Sequence, residues 1–280
     1  MKYLFFHYQQ VLLLFFVTTI TCAQEQNTHV LQGLGQPIYH HVSSPQSKST
    51  YHIIVRLPDG YDKSIEYPTI YLLDGGISYP LLSAYYHYLR FTEEIPAMII
   101  VGISYGTDDW KKGNARSFDY TVKSPQREHW GGAEKFQYFI KNSVIPLVEN
   151  NYSSAPDSRI IFGNSLAGQF VLYTAMTQPD LFAGHIASNP ALHQNVSFFL
   201  NEKNIEHAVN YKSKLYVSSG SNDDVQFREP VKKWIKHWEN QSSHPWILKT
   251  ETLNEEGHMS AIPQSFVRGV RWVLNFHRKN

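Results

Sequence analysis

A serine stands at the centre of the segment Gly163–Gly168, the stretch of this chain with the clearest chemical pattern. A strand is predicted to end at Phe162 and a helix to begin at Leu166, which puts Ser165 on a tight turn between them. A strand–turn–helix lifts a serine hydroxyl above the edge of a sheet, where it can attack a carbonyl carbon. The pattern therefore predicts a nucleophile at Ser165, against the alternative of a serine that only caps a helix.

A serine hydroxyl is a weak nucleophile unless a base removes its proton. Among the 14 histidines, His258 has the position that fits a base, on the loop between the last predicted strand and the last predicted helix. An acid that orients this imidazole is expected after the preceding strand. Asp223 is our choice there, Asp224 remains an alternative, and Glu229 is a more distant one. Adjacent aspartates are also common in solvated turns.

The negative charge that develops on an attacked carbonyl oxygen needs hydrogen-bond donors. The helix that begins at Leu166 offers one backbone N–H. A second is expected from Gly76, in the sequence Asp74-Gly75-Gly76 that follows an apolar run. The competing interpretation is a simple turn, because Asp-Gly is common in turns.

The elements that must position these residues follow from alternating apolar runs and helical patterns. Seven runs are predicted as strands: Tyr51–Leu57, Thr69–Leu73, Ala97–Ile103, Arg159–Phe162, His185–Ser188, Leu215–Ser218 and Trp246–Leu253. Helices are predicted after Gly132 and over Leu166–Thr177, Glu229–Trp238 and Pro263–Phe276, with a kink or late break at Pro146. The alternation predicts a single-domain α/β fold around a mostly parallel sheet covered by helices on both faces.

The first 23 residues are typical of a secretory signal. Lys2 is followed by an apolar run over Val11–Ile20 and by small residues before an expected cleavage after Ala23. The run is too short for a membrane span. A buried helix and a lipid anchor at Cys22 are the alternatives. We predict a signal peptide over 1–23, a polar lead-in over 24–49 and a catalytic domain over 50–280, in a periplasmic or secreted protein.

Composition excludes several classes of function. Lys and Arg number 25 against 24 Asp and Glu, for a formal charge of +1, which leaves no basic field for nucleic acid. The only cysteine, Cys22, would leave with the signal, so no disulfide or thiolate chemistry is expected. His40, His41 and His237 lack the spacing of zinc ligands, and no phosphate-binding loop is present. We therefore expect neither a metal nor a cofactor. The sequence does not indicate the oligomeric state.

Several segments together resemble one branch of the α/β hydrolases, named "putative esterase", from about Tyr51 to Phe276. This branch includes siderophore esterases, S-formylglutathione hydrolases, feruloyl esterases and mycolyltransferases. The matching segments are Val55–Tyr61, Tyr71–Gly75, Val101–Ile103, Gly131–Glu134 with Phe136, Gly163–Gly168, Pro179–Phe182, Gly257-His258 and Arg268-Gly269.

The resemblance implies the α/β-hydrolase fold and a serine ester hydrolase that forms an acyl-enzyme on a small-molecule ester, siderophore esters included. It implies Ser165 as nucleophile, His258 as base, Asp223 or Asp224 as acid, and amides at Gly76 and Leu166. An acyltransferase and a non-catalytic binding protein are the alternatives.

Two segments depart from the siderophore-esterase pattern. Asn164 stands where histidine is frequent, and Asn189-Pro-Ala-Leu-His193 replaces Ser-Pro-Ser-Leu-Trp. The second segment borders the expected substrate side, which weighs against a catecholate trilactone as substrate.

Overall fold

The computed structural model describes residues 32–46, 49–206, 213–241 and 244–277. The signal peptide predicted over 1–23 lies outside these residues and stays a prediction. Within the described ranges, none of the helices has the length and apolar character needed to cross a membrane.

Eight strands form one sheet in the order β1-β2-β4-β3-β5-β6-β7-β8. The strands are β1 (Ile38–Ser43), β2 (Thr50–Arg56), β3 (Tyr67–Leu72), β4 (Ile99–Ser104), β5 (Ser154–Asn164), β6 (Gly184–Ser188), β7 (Ser213–Gly220) and β8 (Trp246–Leu253). β2 is antiparallel to β1 and β4, and β3 to β8 run parallel to one another. The predicted mostly parallel α/β sheet in a single domain is confirmed, with all seven predicted strands.

The eighth strand, β1, lies inside the segment 24–49, which we predicted to be a polar lead-in and not a strand of the sheet. Its residues are exposed or half-buried along the whole strand, so the sequence carries no apolar run to reveal it. Pairing with β2 in the register from Ile38 opposite Val55 to Ser43 opposite Thr50 supplies its backbone hydrogen bonds. An antiparallel edge strand can form with little side-chain burial because the ladder itself satisfies the backbone.

Helices cover both faces of the sheet. They are α1 (Gly75–Phe91), α2 (Arg116–Asp119), α3 (Ala133–Phe139), α4 (Ile145–Asn151), α5 (Leu166–Thr177), α6 (Val196–Phe199), α7 (Val225–Glu239) and α8 (Ala261–Val273). Helices α1 and α8 pack on one face, and α3, α4, α5 and α7 on the other.

Helix α1 was not predicted from the sequence. It begins with two glycines and contains Pro80, residues that disfavour helices in isolation. Burial of Tyr79, Leu82, Tyr86 and Leu89, which recur every three or four residues on one face, outweighs that local preference.

Pro146 produces the predicted irregularity between α3 and α4. Residues Ile140–Val144 form a π-helical turn, and Pro146 is at the start of α4. A proline lacks the N–H for the helical hydrogen bond and collides with the carbonyl four residues earlier, so the backbone widens just before it.

Candidate active site

Ser165 occupies the turn between β5 and α5 in a strained conformation. Its φ of 62° and ψ of −121° cost about 1–3 kcal/mol for a residue that has a side chain. The Ser165 N–H donates to the Ser188 carbonyl at 3.0 Å, and the Ser165 carbonyl accepts from the Ala191 N–H at 3.0 Å. A Cβ atom at Gly163 would lie 2.5 Å from the Ala167 carbonyl, so only glycine allows a turn this tight.

The loop after β3 is fixed by a charged pair. Asp74 has a left-handed backbone (φ 53°), and its two carboxylate oxygens accept from the Arg116 guanidinium at 2.6 and 2.8 Å. The Asp74 N–H donates to the Tyr120 hydroxyl at 3.0 Å. A Cβ atom at Gly75 would lie 2.6 Å from the backbone of β4. Gly76 is the second residue of α1, where a backbone N–H has no acceptor within the helix.

A cavity of about 590 Å³ opens between these two turns, and both Gly76 and Ser165 line it. Among the aromatic residues of this region, Tyr105 lines the cavity. Tyr79 is buried, and Trp110 is 75% exposed outside the cavity wall.

His258 and Asp223 are joined by a hydrogen bond. The imidazole Nδ1 lies 2.8 Å from the Asp223 Oδ2 atom, and the Asp223 side chain is 1% exposed. The other oxygen, Oδ1, accepts from the Asp224 N–H at 2.7 Å. Because a carboxylate only accepts, the proton of a neutral imidazole belongs on Nδ1, and Nε2 is left as an acceptor. This is the tautomer that a general base requires.

The other two candidate acids have different partners. Asp224 is exposed and caps α7, its Oδ1 accepting from the Gln226 N–H at 2.9 Å. Glu229 is 52% exposed and bonds Lys232. The geometry therefore favours Asp223 as the partner of His258.

The loop that carries His258 reaches the serine turn. The side-chain amide of Asn164 lies 3.8 Å from the Met259 sulfur, and Met259 and Ser165 line the same cavity. The carboxyl ends of β5, β7 and β8 thus bring the three proposed side chains to one edge of the sheet.

The histidines considered as metal ligands have other contacts. The His40 Nε2 atom lies 2.8 Å from the Tyr152 hydroxyl, and His41 packs edge-on against His52 at 4.4 Å. His237 packs against Trp238. Among the residues that the structure describes, no three His, Cys, Asp or Glu side chains are grouped to hold a metal.

The family model described as "Putative esterase" matches residues 44–259. The chain belongs to this esterase family. The resemblance found in the sequence motifs is thereby confirmed, and with it the enzyme class, a carboxylic-ester hydrolase.

Similar proteins support the same assignment. The ferri-bacillibactin esterase BesA of Bacillus subtilis is 30% identical over 84% of this chain and 88% of its own length. An IroE-like serine hydrolase from Shewanella oneidensis superposes with a TM-score of 0.73 at 22% identity, over 85% of this chain and 79% of that one. The siderophore hydrolase EstB from Aspergillus nidulans superposes with a TM-score of 0.72 at 19% identity, over 87% of this chain and 96% of that one. The two structures show the shared fold.

In this esterase an aromatic wall covers one side of His258. Phe227 packs on the imidazole with ring centroids 4.7 Å apart, and His193 meets Phe227 edge-on at 4.9 Å. Burial lowers the pKa of His193, and the nearby charge of Arg127 and His258 lowers it further. His193 stands at the position where the siderophore-esterase pattern has a tryptophan.

Behind the cavity, Asp119 is buried under two tyrosines of the esterase. Its Oδ2 atom accepts from the hydroxyls of Tyr51 at 2.7 Å and Tyr105 at 3.1 Å. Burial raises the pKa of Asp119 from 3.8 to about 6, and the two hydrogen bonds offset part of that rise. Between these pH values the folded protein binds a proton that the unfolded chain releases. The stability that this proton contributes is present at pH 4 and is lost as pH rises through 6.

Asp119→Asn is therefore expected to remove a pH-dependent part of the stability. An asparagine oxygen can still accept from both tyrosines but does not titrate. From pH 4 to pH 7, the wild type should lose about 2.4 kcal/mol of unfolding free energy relative to the variant. Urea unfolding of both proteins across this range measures the difference. A difference between the two proteins that stays constant with pH would contradict the prediction.

Sequence reasoning missed Arg116 and Asp74 as the pair that fixes the Gly76 loop. The two residues lie 42 positions apart, and no local pattern links them.

Proposed function

We propose that this esterase hydrolyses an ester bond of a siderophore through a serine nucleophile, with Ser165, His258 and Asp223 as its catalytic residues. The observation that carries the proposal is the 2.8 Å hydrogen bond between His258 and the buried Asp223, at the same sheet edge as the strained Ser165. Asp224 is retained as the less favoured acid.

In the first half of the reaction, the Ser165 hydroxyl attacks the ester carbonyl carbon while the His258 Nε2 atom accepts its proton. Asp223 stabilises the imidazolium that forms. The carbonyl oxygen becomes negative, and the N–H groups of Gly76 and Leu166 donate to it. The bond from carbon to the leaving oxygen then breaks, and His258 returns the proton to that oxygen.

In the second half, water attacks the acyl-enzyme. His258 takes a proton from the water, the same two amides stabilise the second oxyanion, and the bond to the Ser165 oxygen breaks. The serine regains its proton, and the carboxylic acid is released. Each step uses only protein groups, substrate and water.

A siderophore ester as the substrate is supported by the named relatives and by the cavity. The cavity of about 590 Å³ falls in the range of small-molecule sites. Its wall combines apolar side chains such as Ile77 and Ile262 with the polar side chains of Asp108, Asn114 and Arg116. Such a mixture suits an ester that carries polar metal-binding groups.

The substrate assignment is tested with a panel of esters. Ester-containing siderophores, a catecholate trilactone and others without that scaffold, each iron-loaded and iron-free, are compared with p-nitrophenyl acetate and methyl ferulate. The products are separated by chromatography and identified by mass. We expect kcat/KM for one siderophore form to exceed the values for both simple esters by about 100-fold. Comparable values across the panel would contradict a siderophore substrate while leaving the serine chemistry in place.

The alternatives predict different products. An acyltransferase gives a new ester when a sugar or alcohol is added, and a binding protein gives neither product nor covalent labelling by a fluorophosphonate. Export follows from the predicted signal over 1–23 and remains part of this proposal.

A further inference from the structure

Asn189, the first residue after β6, is fully buried and lies where the active-site loops meet. Its backbone is left-handed, with a φ of 39°, a conformation that asparagine tolerates better than most residues with side chains. Its N–H donates to the Ser218 carbonyl at 2.8 Å.

The side-chain amide of Asn189 bonds three separate loops. Its Oδ1 atom accepts from the Gly220 N–H at 2.7 Å. Its Nδ2 atom donates to the backbone carbonyl of His258 at 3.0 Å, and lies 3.4 Å from the Asn164 Oδ1 atom. These partners are 31, 69 and 25 positions away in the chain.

Each of the three loops carries one residue of the proposed mechanism. Asn164 precedes Ser165, Gly220 begins the turn to Asp223, and the third partner is His258 itself. The acid and base loops are also joined directly, for example by the Asn222 N–H to the Glu256 carbonyl at 2.9 Å. Between these two loops and the serine turn, Asn189 supplies hydrogen bonds in addition to the 3.8 Å contact of the Asn164 amide with the Met259 sulfur.

We propose that Asn189 is a positioning residue that sets the distance between the His258–Asp223 pair and Ser165. This inference rests on the proposed serine mechanism. Only a side chain with one acceptor and two donors can serve all three partners. Aspartate has acceptors only, and serine has a single hydroxyl with a shorter reach.

The test compares Asn189→Asp and Asn189→Ser with a matched control, Asn195→Asp. Asn195 is also buried, at 6% exposure, and its Nδ2 atom donates to the Gln169 side chain at 3.1 Å. The control thus loses a buried amide donor of the same kind without touching the three loops. Circular dichroism and thermal unfolding establish that each variant is folded.

We expect both Asn189 variants to lower kcat for p-nitrophenyl acetate by about 100-fold with KM within about threefold of the wild type, because a misplacement near 1 Å has an effect of this size. Asn195→Asp should keep kcat within about threefold even where its melting temperature falls. If Asn189→Asp does not fold, Asn189→Ser, which introduces no charge, provides the measurement.

Wild-type kcat in a folded Asn189 variant, or an equal loss in Asn195→Asp, would overturn the inference. A Ser165→Ala variant in the same assay distinguishes a failure of the positioning role of Asn189 from a failure of the serine mechanism. If Ser165→Ala is inactive while the Asn189 variants are fully active, the positioning role fails and the serine mechanism stands. If Ser165→Ala is active, the mechanism itself fails.

Discussion

Ser165→Ala is expected to lower kcat/KM for ester hydrolysis by about 10⁵-fold, because no other group can form the acyl-enzyme. The fold should persist, since alanine meets the same backbone restriction at φ 62° and removes only a hydroxyl. The remaining activity would come from substrate binding and from the oxyanion amides, which the substitution leaves in place. Initial rates with p-nitrophenyl acetate measure the loss.

Ser213→Ala serves as the control for this prediction. Ser213 is buried at the start of β7, at the opposite edge of the sheet, and its substitution should leave kcat/KM unchanged within about twofold. Mass spectrometry after treatment with a fluorophosphonate should find the label on Ser165 in the wild type and in Ser213→Ala. A label on another serine, or full turnover by Ser165→Ala, would end the nucleophile assignment.

Asp223→Asn is expected to lower kcat by about 10³- to 10⁴-fold, whereas Asp224→Asn should stay within about twofold of the wild type. The Asp224 N–H donates to the Asp223 Oδ1 atom at 2.7 Å, so the oxygen of an asparagine at 223 would keep that bond. Its NH₂ group would then face the His258 Nδ1 atom and favour the tautomer with the proton on Nε2. That tautomer cannot accept the serine proton.

Comparison of Asp223→Asn with Asp224→Asn distinguishes a catalytic role of the carboxylate from a role in capping α7. An asparagine at 224 can still accept from the Gln226 N–H and caps a helix about as well as aspartate, so Asp224→Asn should be stable as well as active. Steady-state kinetics and thermal unfolding of both variants are the measurements. Equal activity losses, or a larger loss in Asp224→Asn, would mean that the acid was assigned to the wrong residue.

The sequence was most informative where chemistry requires a local pattern. The turn at Gly163–Gly168 could be predicted because a tight strand-to-helix turn needs small residues close to the serine. The central strands were visible because both of their faces are buried. Helix α1 was not predicted, because burial of one face stabilises it against the local preference of its glycines and proline. Strand β1 was not predicted either, because pairing with β2 stabilises it without an apolar pattern in its sequence.

In the candidate site, too, some residues could be predicted from the sequence and others only from the structure. The motifs indicated Ser165 and His258 because each stands alone in its topological position. Asp223 and Asp224 are adjacent residues of the same type, so the sequence alone does not decide which of them is the acid. In the structure, Asp223 is buried against the imidazole and Asp224 caps α7.

By itself, the sequence determined the α/β architecture and the segments that carry the proposed nucleophile, base and acid, since these depend on periodicity and short-range patterns. The esterase family was indicated by the resemblance of several segments to known members. Only the tertiary structure decided which aspartate meets His258, that Arg116 fixes the loop of Gly76, and that Asn189 joins three loops. These contacts connect residues tens of positions apart, and their distances depend on how the strands twist and pack.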